Sequence, residues 1–218
     1  MRALFPDSDQ DRIRAAVARA EEATSGEIVP YIVERSGRYE AALWRGAGIG
    51  ALAAAAVGLA AGAAYDGWGL NWLYAAEGML ALVILGALAG ALLALAPPAR
   101  RVLAGRRRLD YNVARRAAQA FVEEEVFDTR DRTGILLFAS LFEHRLVVIG
   151  DSGVNAKVEQ GEWEEVIALV RDGIRRGAPT DGLVAAIDKC GELLHRRGVA
   201  LRDDDSDELS DEVRLRRE

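Results

Sequence analysis

The spacing of apolar and polar positions changes several times along the chain, and each change marks an element. Ile13, Ala16, Val17 and Ala20 recur at the three- and four-residue spacing of one helical face, with Ser8 placed as an N-cap and Asp11 three residues on. Thr24-Ser25-Gly26 ends that pattern. Residues 27–34 (EIVPYIVE) are apolar on both faces and rich in Ile and Val, the pattern of a buried strand. Pro30 has no N–H to give to a ladder, so the strand should meet an edge or a bulge there. Two runs without any charge follow, 20 residues over 46–65 and 22 residues over 78–99. As helices, both are long enough to cross a hydrocarbon core of roughly 30 Å.

Helical spacing returns over 112–127, where Val113, Ala117, Ala120, Phe121 and Phe127 are available to a core. Residues 135–139 and 146–149 read as two strands of a hairpin turning through 141–145. Trp163, Ile167, Val170 and Ile174 mark another helix, and Leu183, Val184, Ile187 and Leu194 a last one capped by Thr180. A lone helix and strand ahead of the apolar runs cannot make a domain. The pattern therefore predicts an α/β fold (an α+β sandwich), a mixed central sheet flanked by helices and interrupted after its first strand by a two-helix transmembrane hairpin. Its parts are 1–45 and 100–200 for the domain, 46–99 for the hairpin with spans at 46–65 and 78–99, and 201–218 as a charged acidic tail.

Charge sharpens this division. The chain has 218 residues, with 28 Lys+Arg against 34 Asp+Glu and a net charge of −6. Its mean hydropathy is close to zero, but that is an average of two unlike parts. Between Arg45 and Arg100 only Asp66 and Glu77 are charged. Arg35, Arg38 and Arg45 precede the first span, Arg100, Arg101, Arg106, Arg107 and Arg108 follow the second, and the linker 66–77 has neither Lys nor Arg. The positive-inside rule then places the soluble domain and both termini in the cytoplasm of a multi-pass protein of the cell inner or plasma membrane, with the linker outside. Trp68, Trp72 and Tyr74 in that linker suit the headgroup layer. Asp7, Asp9 and Asp11 stand where a signal peptide would need basic and apolar residues. Cys190 is the one cysteine, which excludes a disulfide scaffold and fits a reducing compartment. An acidic balance argues against a nucleic-acid partner. The arginines at 100, 101, 106, 107 and 108 are placed instead for anionic lipid headgroups.

Small residues repeat every four positions in the first span (Gly46, Gly50, Ala54, Gly58, Gly62), and in the second at Gly78, Gly86, Gly90 and Ala94, interrupted by Leu82. Such rows let helix backbones approach closely. They serve either to pack the two spans on each other or to form a homodimer through the first span. Neither span carries an ionisable residue to mark a transport pathway.

Candidate chemistry is sparse. Two histidines and one cysteine cannot assemble a common zinc site, and there is no P-loop or dinucleotide glycine motif. Cys190 falls beside the apolar face of the last helix, and His195 near that helix's C-terminus suits its dipole. The carboxylates Glu27, Asp128, Asp131 and Asp151 lie at strand ends, where loops can converge, and a converged set would take Ca²⁺ or Mg²⁺. The alternative is that they are solvated loop residues and helix caps. Glu143 and His144, at the hairpin tip, are placed for a protein partner rather than for a pocket. Seven acids within 203–212 form a run that is solvated, or else folds back on the arginines of 100–108.

Several of these stretches carry a resemblance. Thr24-Ser25-Gly26-Glu27-Ile28-Val29 resembles the opening strand of the TPM-domain family. Arg132-Thr133-Gly134-Ile135-Leu136-Leu137-Phe138, through Phe142-Glu143-His144-Arg145, is similar to its central hairpin, and Gly150-Asp151-Ser152-Gly153-Val154-Asn155 to the glycine turn that follows. Residues 177–188 resemble its last helix, and the acidic tail resembles that of a bacterial branch with a transmembrane insertion. The resemblance implies an α/β sandwich. Plant relatives are associated with photosystem repair and acid-phosphatase activity, animal ones with receptor accessory function, and some relatives bind divalent cations. The chain thus reads as a membrane-anchored accessory or interaction module with Ca²⁺ or Mg²⁺ as its candidate ligand. The alternative is a metal-assisted, acid-phosphatase-like hydrolase whose catalytic residues the sequence does not name.

Overall fold

A computed structural model of the chain describes residues 5–22, 24–64, 76–199, 201 and 208–216. Two compact units are present, one of Met1–Gly37 with Asp110–Glu218 and one of Arg38–Leu109.

The first unit is built on a four-stranded sheet. Helix α1 (Asp7–Glu21) leads into β1 (Glu27–Val33). Its cap is not Ser8: Pro6 precedes the first turn, which contains Asp7 and Asp9 at the positive end of the helix dipole. Ile13, Ala16, Val17 and Ala20 are buried as their spacing required. The apolar second unit follows, with α2 (Glu40–Ala64), α3 (Ala76–Leu93) and α4 (Pro97–Ala104). The chain returns through α5 (Arg106–Glu123) to β2 (Gly134–Ser140) and β3 (Arg145–Gly150). A short α6 (Ser152–Asn155) then leads to α7 (Gln160–Arg175), α8 (Pro179–Arg196) and finally β4 (Arg214–Arg216).

The strand order is β3-β2-β1-β4. β1 is parallel to both β2 and β4, and β2 is antiparallel to β3, so the sheet is mixed. Parallel neighbours need a crossover connection. The one from β1 to β2 contains the entire second unit together with α5. Strand alternation gives the sheet two apolar faces. Ile28, Ile32 and Leu137 pack with Ile13, Val17, Trp163 and Ile187 from α1, α7 and α8. Val29, Tyr31, Val33, Leu136 and Phe138 pack with Val113, Ala117 and Ala120 of α5.

Pro30 fits the middle of β1 for a specific reason. Glu27 N–H points to β2, reaching Thr133 O at 3.3 Å, and Ile28 N–H points the other way, reaching the Glu21 carboxylate at 2.7 Å. Alternation puts position 30 on the same side as 28, where β4 begins pairing only at Tyr31. The missing donor thus falls on a stretch of edge. The last helix also starts differently from the expectation. Pro179 opens α8, and Thr180 is not a cap: its hydroxyl donates to Asp9 Oδ2 at 2.8 Å.

In the second unit, α2 and α3 are long and apolar enough to cross a membrane by length and composition. They are antiparallel neighbours in contact along their small residues. A Cβ on Gly46 would lie 2.5 Å from Gly90 O and 2.8 Å from Ala94 Cβ. A Cβ on Gly50 would fall on the carbonyl oxygen of Gly86, and one on Gly58 would lie 2.8 Å from Met79 Sδ. The small-residue row of α2 is therefore occupied by α3. α3 stops at Leu93, and Pro97 and Pro98 begin α4. Arg45 donates to Leu103 O and Ala104 O at 2.7 and 3.1 Å, satisfying carbonyls at the C-terminus of α4. The linker aromatics Trp68, Trp72 and Tyr74 lie outside the described residues.

Candidate functional site

Three places in the first unit gather polar chemistry: the two ends of the sheet and a groove beside β3. At the end where β1 and β2 begin, Glu27 is 5% exposed and Asp151 is 8% exposed, whereas Asp128 and Asp131 are exposed. Glu27 and Asp151 flank the start of β2 from two different strands, which sets their backbones roughly 10 Å apart at the usual interstrand spacing.

Each buried carboxylate has protein partners. Glu27 accepts from the backbone N–H groups of Glu208 and Leu209, both at 3.3 Å. Asp151 caps α6 by accepting from Ser152 N at 2.6 Å. Its Oδ2 has Arg132 Nε at 3.0 Å, off the line of a hydrogen bond. Arg132 in turn donates to Phe127 O at 3.0 Å. Asp128 closes a tight turn through its N–H to Glu125 O at 2.7 Å. The Asp131 carbonyl lies where a Cβ on Gly153 would have to go, so glycine is required there. Among the described residues no three His, Cys, Asp or Glu side chains are gathered to hold one cation. Glu27 and Asp151 are buried acceptors of backbone N–H groups, and Asp128 and Asp131 are exposed.

The opposite end of the sheet corrects one expectation. Glu143 is 1% exposed and is not a tip residue offered to a partner. One of its oxygens accepts from Ser36 N at 2.9 Å, the other from the Ser140 hydroxyl, and Ser140 Oγ lies 2.7 Å from Ser36 Oγ. A buried carboxylate requires such donors, and they draw Glu143 inward and fix the turn to the chain leaving β1. His144 does stand exposed, in a left-handed conformation (φ 53°) that closes the turn.

Beside this turn, β3 and α7 enclose a groove of about 430 Å³. Leu146, Ile167, Val170 and Ile174 form its apolar floor, and His144, Arg145, Arg171 and Arg175 its cationic rim. Arg145 is held by Asp110 at 2.7 Å and Arg175 lies 3.7 Å from Asp172. Sequence reasoning missed this groove, because its rim is divided between a hairpin turn and a helix more than twenty residues later.

Cys190 is fully buried, and burial pushes its thiol up to about 12, so it is not a nucleophile. Tyr31 is also fully buried, stacked on Phe138 with ring centroids 5.5 Å apart. Its hydroxyl accepts from Arg116 at 2.6 Å, and burial raises its pKa above the usual phenol value. Beside it, Glu124 accepts from Arg214 and Arg216 of β4, each at 3.1 Å. Within the charged tail, the stretch 208–216 is bound to the sheet, so the part of the acidic run at 208–212 is neither free in solvent nor laid on the arginines of 100–108. The acids at 203, 204, 205 and 207, and any docking of them on the arginines, lie outside the described residues. Of those arginines, 106, 107 and 108 are exposed and Arg100 Nε donates to Ala94 O at 3.3 Å.

No family model matches the sequence, and no curated protein matches it. The solution NMR structure of BA42, a protein of the psychrophilic bacterium Bizionia argentinensis, is similar in fold: 97% of this chain aligns with 95% of that one at a TM-score of 0.59. At 18% identity the likeness shows the fold alone.

Proposed function

We propose that the chain is a membrane-anchored, TPM-like module whose α/β unit faces the cytoplasm and serves as an accessory or interaction domain. The observation that carries this reading is the inverted hairpin. Its glycines face inward between α2 and α3, while its large apolar side chains face out: Leu52 is 74% exposed, Leu59 68% and Leu92 66%. In water each such leucine forgoes about 1.5–3 kcal/mol of burial, and a soluble protein does not leave a continuous surface of them uncovered. A bilayer covers it, and the arginines at 100, 101 and 106–108 then suit the anionic headgroups of the cytoplasmic leaflet.

For the interaction role, the groove beside β3 fits an acidic partner segment with apolar residues. Its cationic rim supplies charge complementarity, and its floor supplies burial. A hydrolase draws no support from the other end of the sheet, where Glu27 and Asp151 are already engaged. The test is integration and orientation. The protein should resist alkaline extraction from membranes, and a cysteine introduced at Asp66 should label from outside the cell. Leu85→Arg, in the middle of α3 and 63% exposed, should cost about 2.5–3.5 kcal/mol of insertion and release protein to the soluble fraction. Extraction of the unaltered chain as a soluble species would overturn the reading.

A further inference from the structure

The side of β1 facing away from β2 is fitted with a recognition site at each end. At its start, the buried Glu27 carboxylate takes two consecutive backbone N–H groups, those of Glu208 and Leu209. Toward its end, beside Tyr31, Glu124 is 15% exposed and pairs with two arginines one residue apart. Between these points the incoming chain adds a parallel strand in register, with Tyr31 opposite Arg214 and Val33 opposite Arg216. Glu34 N–H extends the ladder to Arg216 O at 3.2 Å. Side chains alternate accordingly. Arg214 and Arg216 turn to Glu124 on the α5 side, while Val213 and Leu215 pack on the core of the opposite face. Strand addition of this kind gives affinity through the backbone and selectivity through alternate side-chain pockets.

The occupant seen here is short, although Leu209, Val213 and Leu215 pack on the two faces of the sheet. β4 has only three residues, at the edge of the sheet, and Arg216 is 57% exposed. The Asp211 Oδ1 atom is shielded from solvent with no hydrogen-bond partner, which offsets part of the gain from docking. Edge elements with few buried contacts open at low free energy, well below global unfolding.

We propose that the outer edge of β1, flanked by Glu27 at its start and by Glu124 toward its end, is a docking site for an extended protein segment that places an apolar residue between two arginines. The chain's own residues 208–216 are its tethered occupant, displaced when a partner segment binds. This names a second partner surface for the accessory module proposed above and rests on that role only for its use. Peptide exchange is measured without reference to the membrane, so either reading can fail alone.

The probe is a labelled peptide, Ser-Asp-Glu-Val-Arg-Leu-Arg, added to the full-length protein in detergent. An occupant docked nine-tenths of the time or more lowers apparent affinity about tenfold or more. Arg214→Ala with Arg216→Ala should therefore bind the peptide about tenfold more tightly than the unaltered chain. Adding Glu124→Ala to that variant should abolish the gain. In the unaltered chain, millimolar peptide should speed amide exchange at 214–216 while β1 stays protected. Absence of peptide binding to the double variant with β1 and β2 still protected would overturn the proposal, as would binding indifferent to Glu124→Ala. If the variants fail to fold, the unaltered chain decides: unchanged exchange at 214–216 under millimolar peptide also overturns it.

Discussion

The sheet unit is held by large side chains meeting across layers, whereas the apolar hairpin is held by their absence. Tyr31, Phe138, Ile32 and Leu137 fill the two faces of the sheet, and each is at most 1% exposed. In the hairpin the contact is backbone on backbone at Gly46, Gly50, Gly86 and Gly90, and the large residues are turned out. The contrast matches the solvents proposed for the two units. In water, burying apolar area is the driving force, so bulk goes inside. In hydrocarbon nothing is gained by hiding a leucine, and close backbone approach gives the packing instead. The contrast predicts opposite responses to the same kind of substitution.

The largest effect belongs to truncation in the sheet. Phe138→Ala removes the ring stacked on Tyr31 and should destabilise the α/β unit by about 3–5 kcal/mol, read as a lower denaturant midpoint of its unfolding. The helicity of α2 and α3 should survive that transition. If both units melted together with the same loss, the division into two differently held parts would be wrong.

Much of this division was legible because it rests on local pattern. Two long charge-free runs announce the hairpin, and EIVPYIV announces a buried strand whatever lies beside it. The glycine rows were legible as a close contact, but not their partner, since rows of that kind serve one chain or two equally well. β4 was not legible. Arg-Leu-Arg is three residues long and follows a run of acids, and it becomes a strand only because Glu124 and Glu27, far off in sequence, receive it. Glu143 misled for the converse reason. A glutamate at a hairpin tip reads as exposed, and the Ser36 N–H that joins the nearby Ser140 hydroxyl in receiving it comes from a distant segment. Of the four candidate carboxylates, Glu27 opens β1, Asp151 follows β3, and Asp128 and Asp131 lie in the loop before β2. Whether they converge depends on rotamers and partners that spacing does not encode.

Addition, rather than truncation, is the perturbation that should break the hairpin. Gly50→Leu drives a side chain into the Gly86 carbonyl and should weaken the α2–α3 contact by about 1–3 kcal/mol. With cysteines at 58 and 79 in a Cys190→Ala background, bridging by a short bis-maleimide should slow severalfold. Leu52→Ala, a loss of apolar volume on the outward face, should leave it unchanged. Equal effects of the two would mean that the outward leucines, not the glycine seam, hold the helices.

The smallest effect separates the units by pH. Burial raises the Cys190 thiol to about 12 in the folded chain, against roughly 8.5 when unfolded. The folded state therefore keeps its proton where the unfolded state has lost it. The stabilisation linked to that proton is fully present below about pH 8.5 and is lost as pH rises toward 12. At pH 10 the loss should be roughly 1–2 kcal/mol in the α/β unit. Tyr31, also raised by burial, adds a loss of the same sign, but only from about pH 10 upward, where an unfolded phenol begins to ionise. Cys190→Ala should consequently flatten stability between pH 8.5 and 10 while leaving the steeper fall above it. The glycine seam of the hairpin contains no titratable side chain, so bis-maleimide bridging of 58 and 79, corrected for thiol ionisation, should stay constant over the same range. A slope that persists in Cys190→Ala would place the titration elsewhere and show that the thiol is not sealed in the core of the sheet.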